Sequence, residues 1–450
     1  MKESLLEQID INQLLEDLRI KYNVVGASLS VMHKGQVKNA SSGILNKNTK
    51  IEATDDSLFQ IGSISKIFTT TAIMQLVDEG KVNLEDPVVN YLPSFRVADI
   101  EASNTITVKQ LLCHTSGMEG DFFPEDDPFC PTVEKLIDRC YLLEQLHPVD
   151  KYMSYCNTGF SIAGRIIEVI TGKPWGLVIQ ERILQPLNLN ESTTEPANML
   201  RFRSAIGHVP DINDSTKLNV APKCYLPLSH APAGTVLSMS ARDLMTFALM
   251  HLNDGVSDNG KKIISKESAI KMKTQQVQLP SMGAGITDWG LGWFMVKRAE
   301  REMYGHTGGT IGQLSYLSIY PKNDLVITLL TNSPSAMLYS ELEKSLLDSL
   351  AGISREADLV PSEQSLDFNP FVGRYENIQT QVKVYEFEKT LLCEFPNQAG
   401  GVGLLELLHV KDNVFVSFPS PNEPPRNVMF IGEGKDEYLL TGGRLFKKKS

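Results

Sequence analysis

The stretch FQIGSISKIFTTTAIMQLVDEG, residues 59–80, sets Ser63 and Lys66 three residues apart where an apolar helical pattern begins. At 3.6 residues per turn the two share one helix face, one turn apart. A serine hydroxyl is a poor nucleophile near neutral pH and needs a base within hydrogen-bond reach. A lysine can serve if burial lowers its pKa, and Ile61, Ile64, Ile67 and Phe68 are placed to supply that burial. The positive end of the helix dipole would favour an anion developing at Ser63. Spacing alone decides nothing. Ser268 and Lys271 repeat it, and a serine at a helix start is ordinarily an N-cap.

Ordered partners change the weight of the pair. Tyr155-Cys156-Asn157 stands just before a helical pattern, and His306-Thr307-Gly308-Gly309 stands on a strand-like run. Tyr375-Glu376-Asn377 and His114-Thr115-Ser116-Gly117 imitate these motifs. Only the set at 63, 155 and 306 falls in turn at a helix start, an interhelical loop and a sheet edge.

The elements that must position this set follow from periodicity. The N-terminal segment reads as an amphipathic helix, followed by strands VVGASLSVMH and QVKNASSGIL around a Lys34-Gly35 turn. From about 67 to 285 the pattern is mostly helical. The clearest case is SARDLMTFALMHLNDG, with Ser240 as N-cap, Asp243 three residues on and Gly255 at the stop. From Trp289 the strand pattern returns in four runs, and a helix follows. Strands from both ends of this unit imply one antiparallel sheet flanked by the terminal helices. Residues 1–352 form this first unit, 353–370 a polar, proline-punctuated linker, and 371–450 a small all-β barrel or sandwich. Lys447-Lys448-Lys449 reads as a frayed, solvated tail.

The 450 residues exceed one core, and the net charge of -11 argues against a phosphate-binding surface. Nucleic-acid and membrane partners are not expected. The N-terminus carries acids throughout and has no uninterrupted apolar run, so it reads as neither leader nor anchor. Six cysteines are scattered without metal-ligand or CxxC spacing, which fits thiols in a reducing, cytoplasmic setting. His114 and His306 are not at ligand spacing and there is no HExxH, so no metal or cofactor is expected. Trp289 and Trp293 alternate as strand residues would, as core or pocket wall.

The chain resembles the serine beta-lactamase-like and penicillin-binding-protein-like hydrolases: class C beta-lactamases, D-alanyl-D-alanine carboxypeptidases, D-aminopeptidases and related esterases. SISK (63–66), YCN (155–157) and HTG (306–308) carry the likeness, supported by ITVKQLLCHTSGM, PAGTVLSMSARDL and GLGW. It covers about residues 10–350. The last segment is similar to the lipocalin-like domain appended to some of these peptidases. The resemblance implies an α/β (α+β) beta-lactamase-like fold, an antiparallel sheet flanked by helices plus an all-helical region, followed by the small barrel.

It also implies that Ser63 becomes acylated, that Lys66 and Tyr155 share the proton transfers, and that Asn157 orients Lys66 and the substrate amide. The Ser63 and Gly309 N–H groups would form the oxyanion hole. Thr307, Gly308 and Asn157 would bind substrate, with glycines 308 and 309 allowing close approach. His306 departs from the lysine usual in penicillin-recognising relatives. That moves the expected substrate from beta-lactams, leaving at most weak beta-lactamase activity, to esters or D-amino-acid-containing peptides and amides. An acyltransferase, thioesterase or peptide cyclase of a natural-product pathway would use the same acyl-enzyme; a non-catalytic sensor would not need the full set. The C-terminal segment carries no motif of the family, and is expected to shape access or homo-oligomer assembly but not chemistry.

Overall fold

In a computed structural model the described residues are 5–124, 132–214, 216–280, 285–298, 301–354, 359–362, 366–396, 402–419, 423–434 and 436–449. Cys130 and parts of the 353–370 segment lie outside them.

Alternating apolar residues with β-branched and aromatic character build an antiparallel sheet of eight strands. From one edge it runs Gln36–Gly43, Gly26–His33, Leu325–Thr331, Gln313–Tyr320, Glu302–Thr310, Phe294–Lys297, Asp288–Trp289 and Val277–Gln278. Gly26–His33 and Leu325–Thr331 pair from Ala27–Thr331 to His33–Leu325, so the two ends of the unit meet as the second and third strands of the sheet. Both strands are wholly buried. The terminal helices Ile11–Lys21 and Ala336–Ala351 pack together against the sheet, while Ala241–Leu252 packs against Gly26–His33 and Leu325–Thr331. Ser240 caps that helix by accepting from the Asp243 N–H at 3.1 Å. Lys34 and Gly35 both take positive φ, as a two-residue I′ hairpin requires.

The strand carrying residue 306 is interior over its first half only. Its neighbour Phe294–Lys297 pairs with residues 302–305 and stops at Gly305. Residues 306–310 therefore keep a partner on one side, Gln313–Leu317, and a free edge on the other.

The C-terminal segment closes as an eight-stranded barrel from Gly373 to Lys449, around Phe371, Tyr375, Phe415, Phe430 and Leu439. The expected frayed lysine tail is instead its last strand, Arg444–Lys449. Lys448 pairs with Glu437 at 2.6 Å and Lys449 with Glu376 at 2.8 Å. The barrel docks on the first unit through an apolar patch in which Leu146 and Tyr152 meet Tyr438, Leu440 and Leu445. No helix among the described residues is long and apolar enough to cross a membrane.

Candidate active site

Ser63 sits in a single 3-10 turn, Gly62–Ile64, that leads into the helix Ser65–Asp78. Nearly every side chain of that helix is buried, so Lys66 is carried into the core with it. The turn lies against the face of the strand Glu302–Thr310 and of its neighbour Gln313–Tyr320, where Ser315 Oγ donates to the Ile61 carbonyl at 2.6 Å. A Cβ on Gly62 would come 2.4 Å from the Gly309 nitrogen, and Gly62 has φ +52, so only glycine fits. Gly308 has a similar role: its Cβ would fall 1.9 Å from the Ile61 oxygen. Its missing side chain thus serves the packing of strand on turn. Thr307 and Gly309 are exposed and His306 and Gly308 buried, and all four line the cleft.

Lys66 has no solvent exposure. Its Nζ lies 3.0 Å from Ser63 Oγ, 2.7 Å from Asn157 Oδ1 and 2.5 Å from the Ala233 carbonyl. Burial, then the nearby Arg444 charge, hold its pKa well below the usual lysine range, while Asp121 opposes them. Asn157 Oδ1 and the Ala233 carbonyl can only accept, and Ser63 Oγ accepts a third N–H bond. A deprotonated Lys66, favoured by the lowered pKa, would keep the first two bonds and turn its lone pair to the Ser63 hydroxyl. The Asn157 amide is fixed in that sense because its Nδ2 donates to Asp121 Oδ1 at 2.6 Å.

Tyr155 is hydrogen-bonded to Ser63, and burial raises its phenol above the usual tyrosine range. His114, a decoy by sequence pattern, lies under it: the rings stack with centroids 4.3 Å apart. His114 Nδ1 accepts from the Cys156 N–H at 2.9 Å, and burial keeps the ring neutral. His306 Nδ1 donates to the Thr307 carbonyl at 2.5 Å. Burial pushes its pKa down to about 3, so it presents no charge at neutral pH. Trp289 stands edge-on to both, its ring centroid 5.9 Å from Tyr155 and 5.8 Å from His306, as pocket wall.

Two participants come from places the motifs do not mark. Asp121, 7% exposed in its side chain, anchors Asn157, and Arg444 holds Asp121 through Nε to Oδ2 and through Nη2 to Oδ1 at 3.3 Å. Arg444 follows the Gly442-Gly443 hairpin of the barrel. That hairpin reaches the catalytic unit, where the Tyr155 N–H donates to the Gly443 carbonyl at 2.8 Å and the Leu445 N–H to Ser154 Oγ at 3.2 Å. Gln379, also from the barrel, donates to the Asp121 carbonyl at 3.0 Å. The barrel, expected only to shape access or assembly, therefore ends a polar chain running Lys66–Asn157–Asp121–Arg444. Ser63, Tyr155, Asn157, His306, Thr307, Gly309 and Arg444 line one cleft of about 460 Å³. Among the described residues no His, Cys, Asp and Glu cluster could hold a metal ion.

Residues 11–349 match the family described as Beta-lactamase. The chain belongs to this family. Within the family's wider kin, it is similar to Penicillin-binding protein 4 of Amycolatopsis lactamdurans, 38% identical over 364 residues that cover 80% of this chain and 95% of that one. A crystal structure of SurE is 25% identical, with a TM-score of 0.79 over 98% of both chains, and SurE has also been solved with D-Leu. D-amino acid amidase from Ochrobactrum anthropi SV3, complexed with L-phenylalanine amide, is 25% identical with a TM-score of 0.62, covering 76% of this chain and 97% of that one. SurE thus aligns along the barrel as well, whereas the Beta-lactamase match ends at residue 349.

Proposed function

We propose that the protein is a serine hydrolase that cleaves amide or ester bonds of D-amino-acid-containing substrates through an acyl-enzyme on Ser63. The observation that carries this is the buried Lys66 Nζ, 3.0 Å from Ser63 Oγ, with Asn157 Oδ1 and the Ala233 carbonyl accepting its other N–H bonds and burial lowering its pKa. Lys66 takes the Ser63 proton as Oγ bonds the substrate carbonyl carbon. The carbonyl oxygen becomes an anion held by the Ser63 and Gly309 N–H groups, each worth about 3–4 kcal/mol to such a transition state. Collapse breaks the C–N or C–O bond, and the leaving group departs with a proton relayed from Lys66 through Tyr155. Water then attacks the acyl carbon and Ser63 regains its proton. The opposite pKa shifts of Lys66 and Tyr155 favour lysine as base and tyrosine as acid. A D-residue at the reacting carbonyl is supported by the likeness to the D-amino acid amidase and to SurE, solved with D-Leu. Turnover of D- but not L-amino-acid amides and esters tests it; equal turnover of both series rejects it.

Arg444 gives this reading a pH signature. Its cation lowers the Lys66 pKa, whereas Asp121 raises it. Arg444→Gln removes the first influence and leaves the second unbalanced, so Lys66 should lose its proton at higher pH. The acid limb of kcat/KM is expected to move up by about one unit or more, the scale of a charge within several ångströms. Asp121→Asn in the same chain should move it back. A limb that stays put in Arg444→Gln separates the barrel from the proton chemistry.

The neutral His306 bears on the substrate. Arg444 is balanced by Asp121, so the cleft offers no unpaired cation to a carboxylate. A lysine at 306 would add one, worth about 4 kcal/mol at an effective dielectric of 20 before desolvation. Penicillins and cephalosporins should be turned over slowly or not at all. His306→Lys should raise kcat/KM for a carboxylate-bearing donor over its methyl ester by about tenfold or more. An unchanged ratio would remove residue 306 from substrate recognition.

Transfer of the acyl group to an amine, giving an acyltransferase or peptide cyclase, is the second reading. The barrel hairpin closing one side of the cleft favours it. Added D-amino-acid amide should then divert the acyl group from water, measured as condensed product.

A further inference from the structure

Beyond Trp289 and the Gly442-Gly443 hairpin, a second chamber of about 560 Å³ adjoins the cleft and plays no part in the chemistry described above. Met153, Leu279 and Ile286 form one wall from the catalytic unit; Phe395, Pro425 and Leu440 form the other from the barrel. Both its size and its mostly apolar lining are those of a ligand pocket. Among the described lining residues Arg426 alone carries a charge, and Glu423 pairs with it at 2.8 Å. The chamber is therefore unsuited to an ionic group.

Its position relative to the reacting atoms identifies the occupant. Ser63, Ala233, Gly234, Gly308 and Gly309 line the cleft but not the chamber, so the chamber lies away from the oxyanion side. The residues common to both spaces are Ile286, Trp289, Gly442 and Gly443. Trp289 packs on Tyr155, and the Gly443 carbonyl accepts from its N–H. On the reading above Tyr155 gives the leaving group its proton, and Trp289 and Gly443, which contact Tyr155, border the chamber on that side. The threshold is formed by glycines: Gly442 and Gly443 have φ +56 and +74, and a Cβ on Gly442 would meet nothing within 4 Å. A side chain there would project into open space beside the passage.

We infer that this chamber is the leaving-group subsite, and that it takes the apolar side chain of the residue released from the acyl-enzyme. The inference rests on the acyl-enzyme reading above, and assigns to the barrel a share in substrate selection. In the reverse sense the same chamber would seat an apolar amine acceptor.

The test uses the full-length protein and N-acetyl-D-alanyl donors. Dipeptide amides with Leu or Phe after the D-alanine should exceed those with Ser or Lys in kcat/KM by about tenfold. Leu279→Asp, on the catalytic side, and Phe395→Ser, on the barrel side, should each reduce that ratio to near one. Both should leave hydrolysis of N-acetyl-D-alanine methyl ester unchanged, since methanol is too small to enter the chamber. If wild type does not hydrolyse the methyl ester, the acyl-enzyme reading falls and the subsite with it. If the methyl ester is turned over but the four amides do not differ, or the ratio survives in both variants, the subsite alone is overturned. A preference that follows the acyl residue and not the released one also overturns it.

Discussion

Lys66→Ala is expected to slow acylation of Ser63 by roughly 10²–10⁴-fold, the range for a positioned acid–base group. The loss should not be recoverable at high pH, because no other described base contacts Ser63. Tyr155 is hydrogen-bonded to Ser63, but burial keeps its phenol protonated. Tyr155→Phe should cost about 10²-fold or more by the same reasoning. The two side chains pass one proton, so the double variant should lose far less than the product of the single losses. Single-turnover acylation by an activated D-amino-acid ester measures all three. Fully multiplicative losses would assign independent roles and reject the shared proton. Lys66→Ala also leaves Asn157 Oδ1 and the Ala233 carbonyl without their donor. Thermal melting of each variant separates that structural cost from the kinetic one.

The part of the site legible in the sequence was the part encoded locally. Ser63 and Lys66 are joined by one helical turn, and Tyr155 and Asn157 by the start of the helix Asn157–Thr171. The pattern that sets those helices also sets the side chains. The strand pattern likewise places strands from both ends in one antiparallel sheet, whereas the pairing of Gly26–His33 with Leu325–Thr331 has no local signature. His114 was dismissed because its HTSG copies a motif; its positive φ of +62, which turns the ring under Tyr155, has no simple local signature.

Arg444 shows the opposite case. A GGR turn between two strands announces a hairpin, but nothing within ten residues says which surface the hairpin meets. Its partner Asp121 is 323 residues away, in a loop without periodicity. The docking of Leu440 and Leu445 on Leu146 and Tyr152, with the backbone bonds from Tyr155 and Leu445, brings the two together. The lysines after it failed for the same reason: a basic run is a solvated tail unless acids from other strands, here Glu376 and Glu437, face it. The expectation that the barrel stands apart from the chemistry fails on this one side chain. Losing the half-exposed Arg444 would leave the buried Asp121 carboxylate without its cation. Removing the barrel would therefore disturb Asp121 and Asn157 as well as the roof of the cleft.

The central claim is that Ser63 carries the acyl group. Treatment of the full-length protein with a fluorophosphonate, followed by intact mass measurement, tests it most directly. Wild type and Ser268→Ala should each gain the mass of one adduct, because Ser268 repeats the spacing to a lysine but donates to Asp78 far from the cleft. Ser63→Ala, which removes the attacking oxygen, should gain none and should lose turnover of D-amino-acid esters to background. One adduct on wild type and Ser268→Ala with none on Ser63→Ala is the predicted result. An adduct that persists on a folded Ser63→Ala protein would contradict the account.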